Sequence, residues 1–224
     1  MKLKLSFLLI FSFSYFIAQD QITKELVKLK SNDFDEVTYA RQFLIQSNPR
    51  DVIPELIEML KDTTLVKLEN TGDLIYPGAK EFYGHGSVVK YDIDKIYFRA
   101  AWILEELTFQ DFGYLNDKSN SLILYKKSHM WWKANEMTWS RYSALKEALQ
   151  SYEIARWESA IHYLRFSKEP ITDLNLKTYN KDIKPLIERI YKNTNDESSS
   201  IQAKYLLDDD ENYWLKLKTK KIKP

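Results

Sequence analysis

One five-residue pattern recurs four times in the 224-residue chain and constrains any fold the chain can adopt. It consists of Ala, two variable residues, a large apolar residue and Leu. The copies are Ala40-Arg41-Gln42-Phe43-Leu44, Ala100-Ala101-Trp102-Ile103-Leu104, Ala160-Ile161-His162-Tyr163-Leu164 and Ala203-Lys204-Tyr205-Leu206-Leu207. The composition would produce roughly one match or fewer by chance. Ala at i with apolar groups at i+3 and i+4 lines one face of an α-helix. The small side chain lets a neighbouring helix approach, and the large pair fills the space beside it. Repetition of the device predicts stacked copies of one helical unit.

In such an array each pentad belongs to the second helix of a pair. An apolar stripe of helical period stands upstream of every copy. Ile22, Leu26 and Leu29 precede the first, and Ile53, Leu56, Ile57 and Leu60 the second. Tyr142, Leu145 and Leu149 precede the third, and Ile183, Leu186, Ile187 and Ile190 the fourth. Pro54 and Pro185 are placed in the first turn of their helices, where a missing N–H costs nothing. Leu29 and Ala40 are eleven residues apart, as are Leu149 and Ala160. Leu60 and Ala100 are forty apart, so the second unit carries an insertion over residues 63–92. Repeat arrays accept such insertions in loops, often on the functional face.

Three stretches resemble the HEAT-repeat (armadillo-like) family. They are Asp51 to Asp62 followed by Arg99 to Leu107, Ala144 to Gln150 followed by Arg156 to Leu164, and Ile183 to Glu188 followed by Ile201 to Leu207. The resemblance implies an all-α fold: a short right-handed α-solenoid of about four HEAT-like helical pairs with an irregular loop insertion. The pairs fall near 21–47, 50–109, 140–167 and 182–209. Unequal spacing, the insertion and Trp157 near a position that usually holds a small residue depart from the family. Those departures point to degenerate units.

The first 19 residues have the form of an export signal. Lys2 and Lys4 give a positive start, and the run from Leu5 to Ala18 carries no charge. That run is too short to span a bilayer comfortably but suits a signal core. Cleavage is expected after Ala18 or Gln19, with retention as an anchor as the alternative. The expected location is periplasmic or extracellular, with no integral membrane span after cleavage. Residues 20–218 are expected to form one helical repeat domain, followed by a basic tail at 219–224. Cysteine is absent, which excludes disulfides, thiolate metal sites and Cys nucleophiles. The net charge of +1 gives no general attraction to nucleic acid.

Two segments break the repeat. The insertion holds three of the five Gly, in Asp73-Leu74-Ile75-Tyr76-Pro77-Gly78 and Glu81-Phe82-Tyr83-Gly84-His85-Gly86. It is predicted to be loop, with a short helical turn at 63–69. Residues 110–139, with Met130-Trp131-Trp132-Lys133, are predicted to be an irregular packing segment containing one helix within 119–135. Residues 168–181 are predicted to be a polar linker. Tyr76, Tyr83, Tyr91, Trp131 and Trp132 fall in or beside the two breaks. Aromatic rings supply rigid binding area for a protein or a sugar face. The competing reading is that they glue an irregular array.

His85 stands between two glycines, with Glu81 and Asp73 nearby. It could act as an acid–base or a metal ligand, or it could be a surface-loop His. No second His stands at ligand spacing. His162 lies inside a pentad, which suits a packed or helix-surface role. Glu105 and Glu106 point about 100° apart on a helix and cannot face one substrate atom. No phosphate loop, His-Glu-x-x-His, Gly-x-Ser-x-Gly or EF-hand pattern is present.

These features lead to the expectation of a non-enzymatic scaffold that binds a protein or peptide partner in the cell envelope. No cofactor and no metal site are expected. The alternative is a glycan-binding or glycan-processing protein using the aromatic insertion loop. Binding is expected at Tyr76, Tyr83, His85, Trp131 and Trp132, where the pattern breaks. The pentads themselves are expected to be mostly buried.

Overall fold

A computed structural model describes residues 19–68, 82–84, 87–89, 92–114, 119–167, 171 and 174–208. The export signal before residue 19 and the tail beyond 208 lie outside them. The described residues are mostly helical. Helix α1 covers residues 19–28, α2 Phe34–Gln46 and α3 Pro49–Met59. Four short strands follow: β1 Leu65–Leu68, β2 Phe82–Gly84, β3 Ser87–Val89 and β4 Asp92–Lys95. Then come α4 Ile96–Thr108, α5 Ser121–Asn135, α6 Arg141–Gln150 and α7 Ile154–Phe166. The described chain closes with α8 Leu176–Thr178, a π turn at Tyr179–Ile183, α9 Lys184–Asn193 and α10 Glu197–Leu207. Among the described residues, no helix is long and apolar enough to cross a membrane.

The pentads do what their spacing requires. All four alanines, Ala40, Ala100, Ala160 and Ala203, have no exposed surface. Leu44, Leu104 and Leu164 are likewise buried; in the fourth copy Leu206 is buried and the final Leu207 is half-buried. From the upstream stripes, Leu29, Ile53, Leu56, Leu60, Leu145, Leu149, Ile183 and Ile187 are buried.

Helix boundaries follow local chemistry. The Asp33 side chain accepts from the amides of Asp35 and Glu36 and starts α2. A capping box between Ser140 and Ser143 starts α6. Helix α3 begins earlier than its apolar stripe suggests, because Asn48 caps it and Pro49 opens its first turn. Pro54 therefore lies inside α3, not in its first turn. Pro185 does open α9, directly after the π turn. A proline ring crowds the carbonyl four residues back, and the wider π turn relieves that crowding.

Three further expectations are corrected. Where a helical turn is expected at 63–69, the described part holds a strand: Leu65–Leu68 pairs antiparallel with β4, from Leu65↔Lys95 to Leu68↔Asp92. Farther along the insertion, β2 and β3 pair antiparallel from Phe82↔Val89 to Gly84↔Ser87. A strand is stabilised by its partner rather than by its own sequence, so the ribbon is set by residues about thirty apart. The stretch 168–181 is also more than a polar linker. Ile171, Leu174 and Tyr179 are buried, so it contributes to the core.

Contacts divide the chain into two compact units. Unit 1 comprises Met1–Ile103 and Tyr114–His129; unit 2 comprises Leu104–Gly113 and Met130–Pro224. In unit 1 the buried Arg99 donates to the carbonyls of Leu29 and Ser31, both at 2.7 Å. Those carbonyls follow the end of α1 and would otherwise lack partners. Ser121 Oγ donates to Leu60 O at 2.7 Å, and Lys30 pairs with Asp62 at 2.8 Å. The Arg41 guanidinium lies 3.9 Å from the Trp102 ring centre.

In unit 2, α6 packs against α7 and α9, and α10 packs against α7 and α9. First helices of the two pairs therefore meet, as do second helices. Arg189 donates to Leu149 O at 2.6 Å, at the end of α6. Phe109, which follows α4, has φ 54° and a fully buried ring set edge-on to Tyr163 at 5.2 Å. Arg156 Nε donates to its carbonyl at 3.0 Å and helps hold this left-handed backbone in place.

Candidate functional site

Of the five residues expected to bind, the structure brings two together. Trp131 and Trp132 lie on α5 with ring centres 5.9 Å apart. They belong to a line of rings in unit 2 that runs from Phe112 through Trp131 and Trp132 to Trp139, with steps of 5.6, 5.9 and 6.1 Å. Trp132 is 8% exposed, Phe112 and Trp139 are buried, and Trp131 is half-buried. This is the geometry of packed aromatics and leaves little open ring face for a ligand. Tyr83 lies on β2 in unit 1, with its side chain outside the described structure. Tyr76 and His85 also lie outside the described residues.

The carboxylates show a similar division between structural and available groups. Glu105 Oε1 accepts from the amides of Phe112 and Gly113 at 2.8 and 2.9 Å, which anchors the turn that carries Phe112. Among the described residues, no three His, Cys, Asp or Glu side chains gather closely enough to hold a metal ion.

A different feature has the character of a site. A cleft of about 230 Å³ opens between α7 and α10, within unit 2. Helix α7 supplies Glu158, His162 and Phe166, spaced i, i+4 and i+8 along one stripe, with the buried Ile161 beside them. Helix α10 supplies Ser198, Ser199 and Gln202 from its first turns.

Its electrostatics are legible from the bonding. Asp196 caps α10 by accepting from the Ser199 amide at 2.6 Å. That amide holds the Asp196 carboxyl below its ordinary range; the Ser199 hydroxyl nearby adds to the effect without being aligned for a hydrogen bond. Ser199 is fully buried. Glu158 has no hydrogen-bond or ion-pair partner among the described residues. Arg165 is already committed: it donates to Gln202 Oε1 and stacks over Phe166 and Tyr205 at 4.7 and 4.3 Å. The His162 ring rests 4.7 Å from that of Phe166. Phe166, on the lining, is 53% exposed, and Tyr205, three residues beyond Gln202 on α10 and under the same Arg165, is 57% exposed, so aromatic surface beside the cleft is open to solvent.

Sequence reasoning assigned His162 to the helix frame and did not single out Glu158, Phe166, Ser198, Ser199, Gln202 or Tyr205. One signal was present. In a pentad buried at i, i+3 and i+4, position i+2 faces outward, and His162 and Tyr205 both occupy it. No family model matches the chain, and no curated protein or solved structure matches it either.

Proposed function

We propose that this protein is an exported, non-enzymatic helical-repeat scaffold of the cell envelope that binds a protein or peptide partner. Binding is assigned to the surface made by α7 and α10. The observation that carries this reading is the cleft itself. Glu158, Ser198 and Ser199 converge there with hydrogen-bonding capacity unused by their neighbours, beside exposed rings. Such a combination of open aromatic area and unspent polar groups suits a partner surface.

Two recurring devices support the reading of the helices as degenerate HEAT-like units in a short right-handed solenoid. An arginine of one second helix stacks on the ring at pentad position i+2 of the next: Arg41 on Trp102 in unit 1, and Arg165 on Tyr205 in unit 2. An arginine also donates to a carbonyl where a first helix ends: Arg99 to Leu29, and Arg189 to Leu149. Stacked pairs would need such cross-links, because no pair buries its apolar stripe alone.

The test is recovery of a partner from an envelope extract on the wild-type chain and on a Phe166→Ser, Tyr205→Ser double variant. Both rings are exposed, so folding should survive their loss. A stoichiometric partner held by the wild type and released by the variant is the expected result. Equal recovery on both chains would remove this surface from the reading.

A further inference from the structure

We propose that the cleft between α7 and α10 receives the side chain of a lysine presented by the partner. This deepens the scaffold reading and rests on it for the source of the lysine, though the cleft's own chemistry can be tested without a partner. Size is the first constraint. About 230 Å³ falls below the roughly 300–1,000 Å³ usual for a drug-sized ligand, and suits one long side chain.

Charge is the second. Glu158 has no cation beside it among the described residues, and the nearby Asp196 carboxylate accepts from the Ser199 amide. Arg165 is spent on Gln202, Phe166 and Tyr205. Glu158 is the carboxylate of the cleft lining, and with no committed cation beside it, it disfavours an anion and favours a positive group.

Hydrogen bonding is the third. An ammonium brings three N–H donors and no acceptor. The cleft lining offers acceptors on three residues: the Glu158 carboxylate and the hydroxyl oxygens of Ser198 and Ser199. The Ser199 oxygen is buried and in no hydrogen bond, so a donor reaching it would satisfy a group that is costly to leave alone. The apolar surface of Ile161 and Phe166 suits the four-carbon stem behind the ammonium. A guanidinium is a planar fork that favours bidentate carboxylates, whereas separated acceptors around one point suit an ammonium.

The experiment is an NMR titration of the chain with lysine blocked as its Nα-acetyl methylamide, beside the matching norleucine and arginine derivatives. Saturable shifts are expected for the amides of Ser198, Ser199 and Gln202 and for the His162 ring with the lysine derivative. Norleucine, which lacks the ammonium, should bind about tenfold more weakly or less. Glu158→Gln should weaken lysine about tenfold and leave norleucine and the melting temperature unmoved, since Glu158 is exposed. Norleucine binding as tightly as lysine would overturn the proposal. So would arginine binding more tightly, indifference to Glu158→Gln, or no saturable shift.

The chain's own lysines at 216, 218, 220, 221 and 223 are a second source of the same group. Changing those five to Gln separates the sources. If the same resonances move in the unliganded variant, the cleft holds the tail; the lysine chemistry stands and the partner as its source falls. A partner released by the Phe166→Ser, Tyr205→Ser variant but indifferent to its own lysines would keep the scaffold and remove this inference. Lysine binding with no such partner would do the reverse.

Discussion

Ala160→Leu tests whether the pentad is a packing device. Ala160 is fully buried on α7, a helix that packs against both α6 and α10. Leucine adds three carbon atoms where the alanine has no exposed surface to expand into. Overpacking of this kind costs about 1–3 kcal/mol. Helix propensity does not confuse the result, because Ala and Leu are both strong helix formers. Ala155 lies on the same helix but faces solvent, so Ala155→Leu is the matched control, with an expected change within about 0.5 kcal/mol. For a chain of this length each kcal/mol moves the melting temperature by roughly 2–4 °C. Thermal unfolding followed by far-UV circular dichroism should therefore place Ala160→Leu about 2–12 °C below the control. The large half of the device can be tested in the same way. Leu164→Ala should cost about 2–5 kcal/mol, and the volume-conserving double change should cost less than the sum. Equal melting of Ala160→Leu and Ala155→Leu would refute the reasoning.

Three further outcomes are expected. Arg99→Met removes both donors to the carbonyls of Leu29 and Ser31 while keeping an apolar stem, and should destabilise by about 2–4 kcal/mol in urea unfolding. Asp62 has its carboxyl lowered from 3.8 to about 2, first by the Lys30 ammonium and then by Thr64. A depressed carboxyl stabilises fully above its unfolded value and loses that contribution as the pH falls toward about 2. Asp62→Asn should therefore flatten the loss of stability below pH 3.8, by at most about 1 kcal/mol because Lys30 and Asp62 both reach solvent. Asp33→Ala leaves the amides of Asp35 and Glu36 uncapped and should cost about 1 kcal/mol, whereas Asp33→Gly should cost only a few tenths.

The helical frame was legible because its signal is local. Ala160 and Leu164 are four residues apart and report their burial through the period of a single helix. The ribbon formed by β1 and β4 was not legible in the same way. Leu65 is opposite Lys95, and nothing within Leu65–Leu68 states that pairing. A better reading of β2 and β3 was available, since two short runs separated by His85-Gly86 have hairpin spacing. The start of α3 was also within reach: Asn48-Pro49 is a cap followed by a first-turn proline, but the stripe beginning at Ile53 drew the boundary inward. The core residues Ile171, Leu174 and Tyr179 belong to neither a stripe nor a strand pattern, so their burial became visible only with the packing of unit 2.

The candidate site was hidden for a different reason. Glu158 and Ser199 are forty-one residues apart and meet only because α7 and α10 pack, and neither belongs to a recognisable motif. Yet the pentads carried part of the answer. If i, i+3 and i+4 are buried, i+2 is turned about 200° from i and should be a solvated, polar position. It holds Trp102, His162 and Tyr205 in three of the four copies. Trp102 and Tyr205 each receive an arginine of the preceding second helix, and His162 meets Phe166 one turn on. Rings at outward positions cost solvation unless something covers them, and here arginines cover two of them only in part, with Tyr205 still 57% exposed. The same five residues thus fix the frame through their invariant positions and build its outer surface through a variable one. The segments where the repeat breaks, with Tyr76 and His85 outside the described residues, are therefore joined by a second place to seek specific chemistry, the outward slots of the repeat itself.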